Sequence, residues 1–264
     1  DVLSRNVDLI NRGEAPVIEP GLSELIAANR RHLRATSDYR TATHESDASF
    51  IIVPTPSDEK GGFSLRYVKA AIREIGRALK GKKTYHLVVV TSTVLPGSTQ
   101  FGLLPLLEQE SGKRCGEAFG LCYNPEFIAL GSVIHDLLNP DFILIGESDR
   151  RAGQELEDLY KVFCDNHPPV KRMNFVNAEL TKIAVNTFVT TKITFANMLA
   201  GICEELPGGN IDTVSEALGM DTRIGSRYLR SATAGPAFQE TTKRSASWRT
   251  CSARRPRLRR RPTA

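Results

Sequence analysis

Residues 49–94 carry three patterns in succession: SFIIVPTP (Ser49–Pro56), LRYVKAAIREIGRALKG (Leu65–Gly81) and YHLVVVTSTV (Tyr85–Val94). The first is a β-branched run stopped by prolines, which cannot donate to a sheet ladder. The second repeats apolar residues at helical spacing and ends on Gly81, a residue suited to terminating a helix. The third is again apolar and β-branched. Strand, helix, strand in this order signals a parallel pair joined by a helical crossover, and strands this apolar belong to a sheet covered on both faces.

The alternation continues outward. FGLLPLLEQESG (101–112) reads as a helix, FGLCYNPEF (119–127) and FILIG (142–146) as strands, and GQELEDLYKVFC (153–164) as a helix. NAELTKIAVNTFVTTKITFANMLAGICEEL (177–206) contains no proline and no glycine before Gly201, so it reads as one long helix. It is apolar on more than one side, which calls for packing against its own sheet and against a second surface such as another subunit. LPGGN (206–210) then separates it from a short helix, IDTVSEALG (211–219), expected to be capped by Gly219. Toward the other end, VLSRNVDLINRG (2–13) has a helix signature closing on Gly13. No internal repeat is visible.

Charge is unevenly distributed. The chain has 35 Lys+Arg and 30 Asp+Glu, but residues 231–264 hold nine of the basic residues and a single acid, Glu240, leaving 26 against 29 in the rest. The basic character therefore belongs to the tail, and it is no reason to expect that the body meets nucleic acid or membrane. An Arg/Pro/Ser/Thr-rich tail without apolar periodicity is expected to be disordered. The five cysteines, Cys115, Cys122, Cys164, Cys203 and Cys251, are scattered and show no ligand spacing, which favours reduced thiols over disulfides or zinc. No apolar run approaches the roughly 18 residues that span a bilayer, and no signal-like start is present, so a cytoplasmic setting is the default expectation.

Several polar residues fall where chemistry could be done. Thr55 lies between two prolines at a strand's carboxyl end, where a doubly wound sheet places its ligands; an ordinary strand-ending turn explains it equally. Ser92 and Thr93 end the next strand and could offer hydroxyls to a ligand or a water, or cap the following segment. Glu126 ends the third strand and could act as a general base or stand idle at the surface. Lys182 and Asn186 are four apart on the long helix and share a face, where an ammonium and an amide suit a developing alkoxide. They could also belong to a solvated face, with Glu179 and Lys182 an i,i+3 pair. Asp1 stands where a dinucleotide fold would place the acid that holds the ribose hydroxyls, or where a helix N-cap would stand. The ribose role would favour NAD over NADP, with Arg5 close enough in sequence to soften the preference.

Taken in order, LINRGEAPVIEPGL (9–22), VPTP (53–56), TSTVLPG (91–97), NPEF (124–127), NAELTKIAVNTF (177–188) and GMDTRIG (219–225) resemble the UDP-glucose/GDP-mannose dehydrogenase family, from Asp1 to about Arg230. The resemblance implies an oxidoreductase that takes the C6 alcohol of a nucleotide sugar to a carboxylate with two NAD per turnover. It also implies an NAD-binding Rossmann domain, a helical dimerisation segment and a second nucleotide-binding domain. The chain is then expected to be an incomplete Rossmann-type parallel sheet over residues 1–172, lacking its first strand, glycine loop and first helix, followed by a central helical segment over 173–232 and the tail over 233–264. A homodimer through the long helix is expected, with no nucleic-acid or membrane partner. By the same resemblance Thr93 helps position the catalytic water, Glu126 serves hydrolysis of a covalent intermediate, Lys182 and Asn186 are catalytic, and Arg223 reaches a substrate in the neighbouring subunit. Asp1, Thr55, Ser92 and Thr93 fall to the cofactor. UDP-glucose ranks first among substrates because NPEF and Gly131 look most like that branch, with GDP-mannose second and UDP-N-acetylhexosamines third. Leu130 stands where many members carry a second acid, which weakens the UDP-glucose assignment.

The tail departs from the family. After the central segment the family has a glycine-rich turn, then a nucleophilic cysteine followed by phenylalanine, but here Ala237 lies between Pro236 and Phe238 and no thiol occurs between Cys203 and Cys251. Reverse-translating GPAFQETTKRSASWRTCSA and reading from the third base of each codon permits PCFPRDNKALGFLAHLLG. A frameshifting deletion near codon 233 is therefore expected, with out-of-frame sequence beyond it and no activity from this chain. The alternative is a true basic tail for nucleic acid or acidic lipid, for which Trp248 alone offers little aromatic interleaving.

Overall fold

The computed structural model describes residues 1–57, 62–129 and 131–229. Leu130 and the tail, with Pro236, Ala237 and Phe238, lie outside the described residues, so the expectations placed on them are not addressed by the fold. The chain forms two compact units, one of Asp1–Thr55 with Leu65–Leu180, the other of Pro56–Ser64 with Thr181 onward.

The first unit is an α/β layer structure. Three helices, α1 (Ser4–Arg12), α2 (Leu22–Ala28) and α3 (Tyr39–His44), precede β1 (Ala48–Ile51). Then come α4 (Arg66–Leu79), β2 (His86–Val90), a π-helical turn Thr99–Leu103 running into α5 (Leu104–Ser111), β3 (Phe119–Tyr123), α6 (Val133–Leu138), β4 (Ile143–Glu147), α7 (Arg150–Phe163) and β5 (Val170–Met173). The strands form one sheet in the order β1-β2-β3-β4-β5. β1, β2 and β3 are parallel, as the alternating pattern predicts, with Ala48 opposite Leu87 and His86 opposite Phe119.

Two features differ from the sequence expectation. β4 runs antiparallel to β3, pairing Cys122 with Glu147 and Tyr123 with Gly146. The connection from β3 through NPEF and α6 therefore returns at the same edge of the sheet instead of crossing over it. β5, whose VKRM sequence has no apolar run, pairs parallel with β4 and escaped the periodicity.

Side-chain alternation along the strands divides the core. Val88 and Val90 of β2 join Ile51, Leu121, Tyr123 and Leu144 on one face, under Val68, Ile72 and Leu79 of α4 and Leu107 of α5. Leu87 and Val89 join Cys122, Ile143 and Ile145 on the other face, under Ala152, Leu156 and Tyr160 of α7. A period of two therefore supplies both helical layers from the same five residues of β2. Asp149 caps α7 by accepting from the Ala152 N–H at 3.1 Å.

The long helix α8 spans Phe175–Glu205, 31 residues, as the uninterrupted sequence predicts. Its first turns belong to the first unit, with Phe175 and Ala178 in the core beside Tyr123 and Leu144. The rest of α8 and α9 (Ile211–Met220) belong to the second unit. There the Lys192 ammonium donates to the carbonyl of Ile224 at 2.9 Å, and the Ser215 hydroxyl donates to that of Leu229 at 2.9 Å. α9 runs through Gly219 to Met220, so Gly219 is not the expected cap. It instead lets the returning chain approach: a Cβ there would stand 3.0 Å from the Cα of Ser226.

Candidate active site

The carboxyl ends of β1, β2 and β3 stay side by side beyond the strands. Thr91 N–H donates to Ile51 O at 3.0 Å, and Asn124 N–H donates to Val90 O at 2.9 Å. VPTP, TSTVLPG and NPEF thus leave the sheet at one edge, which brings Thr55, Ser92, Thr93 and Glu126 onto the same rim of the first unit.

Each loop is pinned by a polar side chain. The buried Ser92 hydroxyl accepts from the Val53 N–H at 2.8 Å and donates to the Val53 carbonyl at 2.7 Å. It stitches the loop after β2 to the turn that carries Thr55. Thr93, the next residue, is half-buried, and no hydrogen bond engages its hydroxyl among the described residues. The structure thereby separates two hydroxyls that the sequence could only list together. Asn124, 2% exposed, donates to the Leu144 carbonyl at 2.9 Å and accepts from the Tyr160 hydroxyl. With Asn124 fixed from α7 and β4, the half-buried Glu126 follows on a rigid base, close enough that its charge adds to the effect of burial in raising the Tyr160 phenol.

Glu179 of α8 was expected at most to be a helix-surface partner of Lys182. It is fully buried, and its two carboxylate oxygens accept from the backbone N–H groups of Gly97 and Thr99, the latter at 2.8 Å. Neither it nor Tyr160 is signalled by local spacing, since the partners lie 80 and 36 residues away in sequence.

The second unit carries Lys182 and Asn186 one turn apart on α8, Lys182 buried and Asn186 half-buried. Arg223 lies in the segment after α9, largely exposed, with its guanidinium held by Asp221 at 3.0 Å. That pairing and a bond from the Arg223 N–H hold the Asp221 carboxyl below the usual carboxylate range. Asp1 is exposed, and its carboxylate accepts from the Leu3 N–H at 2.9 Å and the Asn6 side chain at 3.1 Å. Leu3 is the N-cap residue of α1, so Asp1 braces the start of that helix from two residues upstream.

No group of His, Cys, Asp and Glu among the described residues could hold a metal ion, and no helix among them is long and apolar enough to cross a membrane.

Residues 1–164 match the NAD binding domain of the UDP-glucose/GDP-mannose dehydrogenase family, and residues 176–244 match that family's central domain. A UDP-glucose 6-dehydrogenase of Haloferax volcanii is 38% identical over 239 residues, covering 87% of this chain and 55% of that protein. A GDP-mannose 6-dehydrogenase of Pseudomonas aeruginosa is 39% identical over 231 residues, covering 86% of this chain and 52% of that protein. The chain thus spans about half the length of these relatives. Among solved structures, a UDP-glucose dehydrogenase from the archaeon Pyrobaculum islandicum superposes with a TM-score of 0.88 at 36% identity, over 96% of this chain and 58% of that one. With an NAD binding domain matched along residues 1–164 and the fold in agreement, the chain belongs to the UDP-glucose/GDP-mannose dehydrogenase family.

Proposed function

We propose that this chain carries the NAD-binding and central segments of a nucleotide-sugar 6-dehydrogenase, in which residues 1–172 bind the cofactor, 173–232 form the central helical segment and 233–264 are out-of-frame sequence. The observation that carries this reading is the shared rim of Thr55, Ser92, Thr93 and Glu126 on parallel strands of a chain belonging to this family. The rim suits a dinucleotide: three strand ends lie together, and the Thr93 hydroxyl there is taken by no protein group among the described residues. NAD, when bound, supplies the hydride acceptor. The protein's task is to hold the sugar's C6 alcohol, take its proton and orient water.

In this assignment the Lys182 ammonium and the Asn186 amide stabilise the alkoxide that forms as the C6 hydroxyl passes its proton to water. Thr93 orients the water for the hydrolytic step, and Glu126 takes that water's proton. Ser92 acts indirectly, by fixing the turn that presents Thr55. Arg223 serves the substrate of a neighbouring subunit, and Asp1 the ribose hydroxyls, which selects NAD over NADP. UDP-glucose is the first-ranked substrate, then GDP-mannose, then UDP-N-acetylhexosamines; relatives named for the first two are similar to this chain to nearly the same degree, so identity does not reorder them. Dimerisation through α8 is supported by an exposed apolar row, Phe195, Met198 and Ile202, at helical spacing.

A second reading, of another class, has its own observation: Ala237 stands where the family's nucleophile is expected, and no thiol lies between Cys203 and Cys251. These 264 residues would then associate without turning over. NADH formation from a panel of UDP- and GDP-sugars separates the two. Robust turnover defeats the inert fragment, while none from the present chain, followed by turnover from a full-length family protein that carries these residues with the frame beyond codon 233 restored, supports the dehydrogenase and the frameshift together. Sequencing the DNA across codons 225–264 tests the frameshift directly, and the absence of any family reading frame there defeats it.

A further inference from the structure

Glu179 is the most deeply buried carboxylate among the described residues, with no exposed surface at all. It projects from the first turns of α8 and takes both of its hydrogen bonds from one short loop, at Gly97 and Thr99. That loop is the continuation of TSTVLPG, and it begins four residues after Thr93. Gly97 has φ +90°, a conformation that favours glycine and turns the chain so that two nearby N–H groups face the same carboxylate. Thr99 then opens the π-helical turn before α5, so the carboxylate also neutralises N–H groups that a helical start leaves unpaired.

We propose that Glu179 is a positioning residue: by holding the N–H groups of Gly97 and Thr99 it fixes the loop that presents Thr93 at the sheet's carboxyl rim. The functional meaning rests on the reading of Thr93 as an active-site group, while the clamp itself is independent of that reading. The loop is held twice, at its start by Ser92 on Val53 and at its end by Glu179, and Thr93 lies between the two clamps.

The electrostatics favour a geometric role. Burial raises the Glu179 carboxyl above its usual value, and the Thr99 side chain together with the N–H groups of Thr99 and Gly97 offsets this only in part. An ionised Glu179 therefore costs the folded state stability compared with a solvated carboxylate. The titratable group coupled to it among the described residues is Tyr123, from β3, whose phenol is raised by burial and by the Glu179 charge; on its own helix Lys182 follows three residues later in sequence. Residues 97–103 contribute no titratable group. On protonation one carboxyl oxygen becomes a donor, and it can no longer accept from both N–H groups. The clamp should then loosen as pH falls through the raised carboxyl value.

The experiment is amide hydrogen exchange and 1H–15N spectroscopy on the 264-residue chain, as wild type, Glu179→Gln and Glu179→Ala, with exchange corrected for its intrinsic pH dependence. In Glu179→Gln, which keeps shape but has one accepting oxygen, at least one of the Gly97 and Thr99 amides should exchange at least about ten-fold faster at pH 7, with the rest of the sheet unchanged. In wild type the Thr93 amide resonance should move with the Glu179 titration, and in Glu179→Gln that titration should vanish. Should Glu179→Ala fail to fold, the isosteric glutamine variant still reads both signals. Unchanged protection at both amides in folded Glu179→Gln, or a Thr93 resonance indifferent to Glu179, overturns the proposal. A Thr93→Ala substitution that leaves a full-length, frame-restored enzyme carrying these residues fully active would defeat the active-site reading of Thr93 and leave the clamp standing.

Discussion

The two edges of the sheet treat buried polar groups in opposite ways. At the amino edge, Lys82 donates to the carbonyls of Thr43 at 2.9 Å and Ser46, and to His86 Nδ1 at 2.9 Å. An ammonium has three hydrogens, and here it meets three acceptors. With Nδ1 accepting, the other His86 nitrogen carries the proton and donates to the Ser49 hydroxyl at 2.8 Å. Side chain thus satisfies side chain or nearby backbone, and His86 is left with no exposed surface. At the carboxyl edge Ser92 and Glu179 hold the backbone of loops, Asn124 ties the start of its own loop to β4 and α7, and Thr93 and Glu126 beside these anchors stay partly open. A closed network serves stability. A rim braced at its anchors and partly open between them is what the role proposed for Thr93 requires.

Breaking the amino network should produce the largest effect. Lys82→Ala removes one side chain and takes the donor from the buried Thr43 carbonyl and His86 Nδ1 and from the part-buried Ser46 carbonyl, each buried acceptor able to cost on the order of 1–3 kcal/mol. A loss of about 4 kcal/mol in unfolding free energy by urea titration is expected, with the Thr93 environment unchanged. A loss under about 1 kcal/mol would mean that water replaces the ammonium and that the two edges differ less than their geometry indicates.

The next effect is one of pH. Burial, aided by the Lys82 charge, lowers His86 from its usual value to about 4. The folded state therefore binds fewer protons than the unfolded chain between roughly pH 6.5 and 4. Stability from this group is complete above the unfolded value and is lost as pH falls toward the folded one, by about 3 kcal/mol at pH 4. Urea unfolding at pH steps from 7 to 4 measures it, and a His86→Gln variant should show a much shallower slope over the same range. An equal slope in both would assign the acid sensitivity elsewhere.

How much of this was legible in sequence depends on the range of the interaction. β1 to β4 and the 31 residues of α8 announce themselves through apolar period and length. The short helices α2, α3 and α6 and the VKRM strand lack a periodic signal long enough to read. The antiparallel turn of β4 was hidden because it depends on where the α6 connection re-enters the sheet. The candidate residues Thr55, Ser92, Thr93 and Glu126 could be picked out because strand-ending polar residues are local features. The tasks of Ser92 and Glu179 could not: one binds the backbone 39 residues upstream, and the other binds a loop 80 residues upstream. Glu179 read as a neighbour of Lys182 only because helical spacing is the one relation that sequence offers there.

Ser92 and Thr93 sharpen the comparison within a single loop. Ser92→Ala deletes the hydroxyl that both donates to and accepts from Val53, and it leaves a buried N–H and carbonyl with poorer partners. A loss of about 2 kcal/mol is expected, with faster exchange of the Val53 amide.

Thr93→Val should have the smallest effect on stability. Valine keeps the β-branched shape and close to the same volume, so the backbone preference and packing at the end of β2 are retained. What is removed is a half-buried hydroxyl that no protein group engages among the described residues, and its loss strands no buried partner. Unfolding free energy should change by less than about 0.5 kcal/mol, the range of substitutions that break no packing or hydrogen bond. Glu179, clamped to the same loop, should keep its bonds to Gly97 and Thr99, so their amide protection should match wild type. A drop of 1 kcal/mol or more, about the worth of a made hydrogen bond, would show that Thr93 is tied into the fold as Ser92 is. The rim would then be braced throughout, and the distinction between an anchoring hydroxyl and a presented one would be lost.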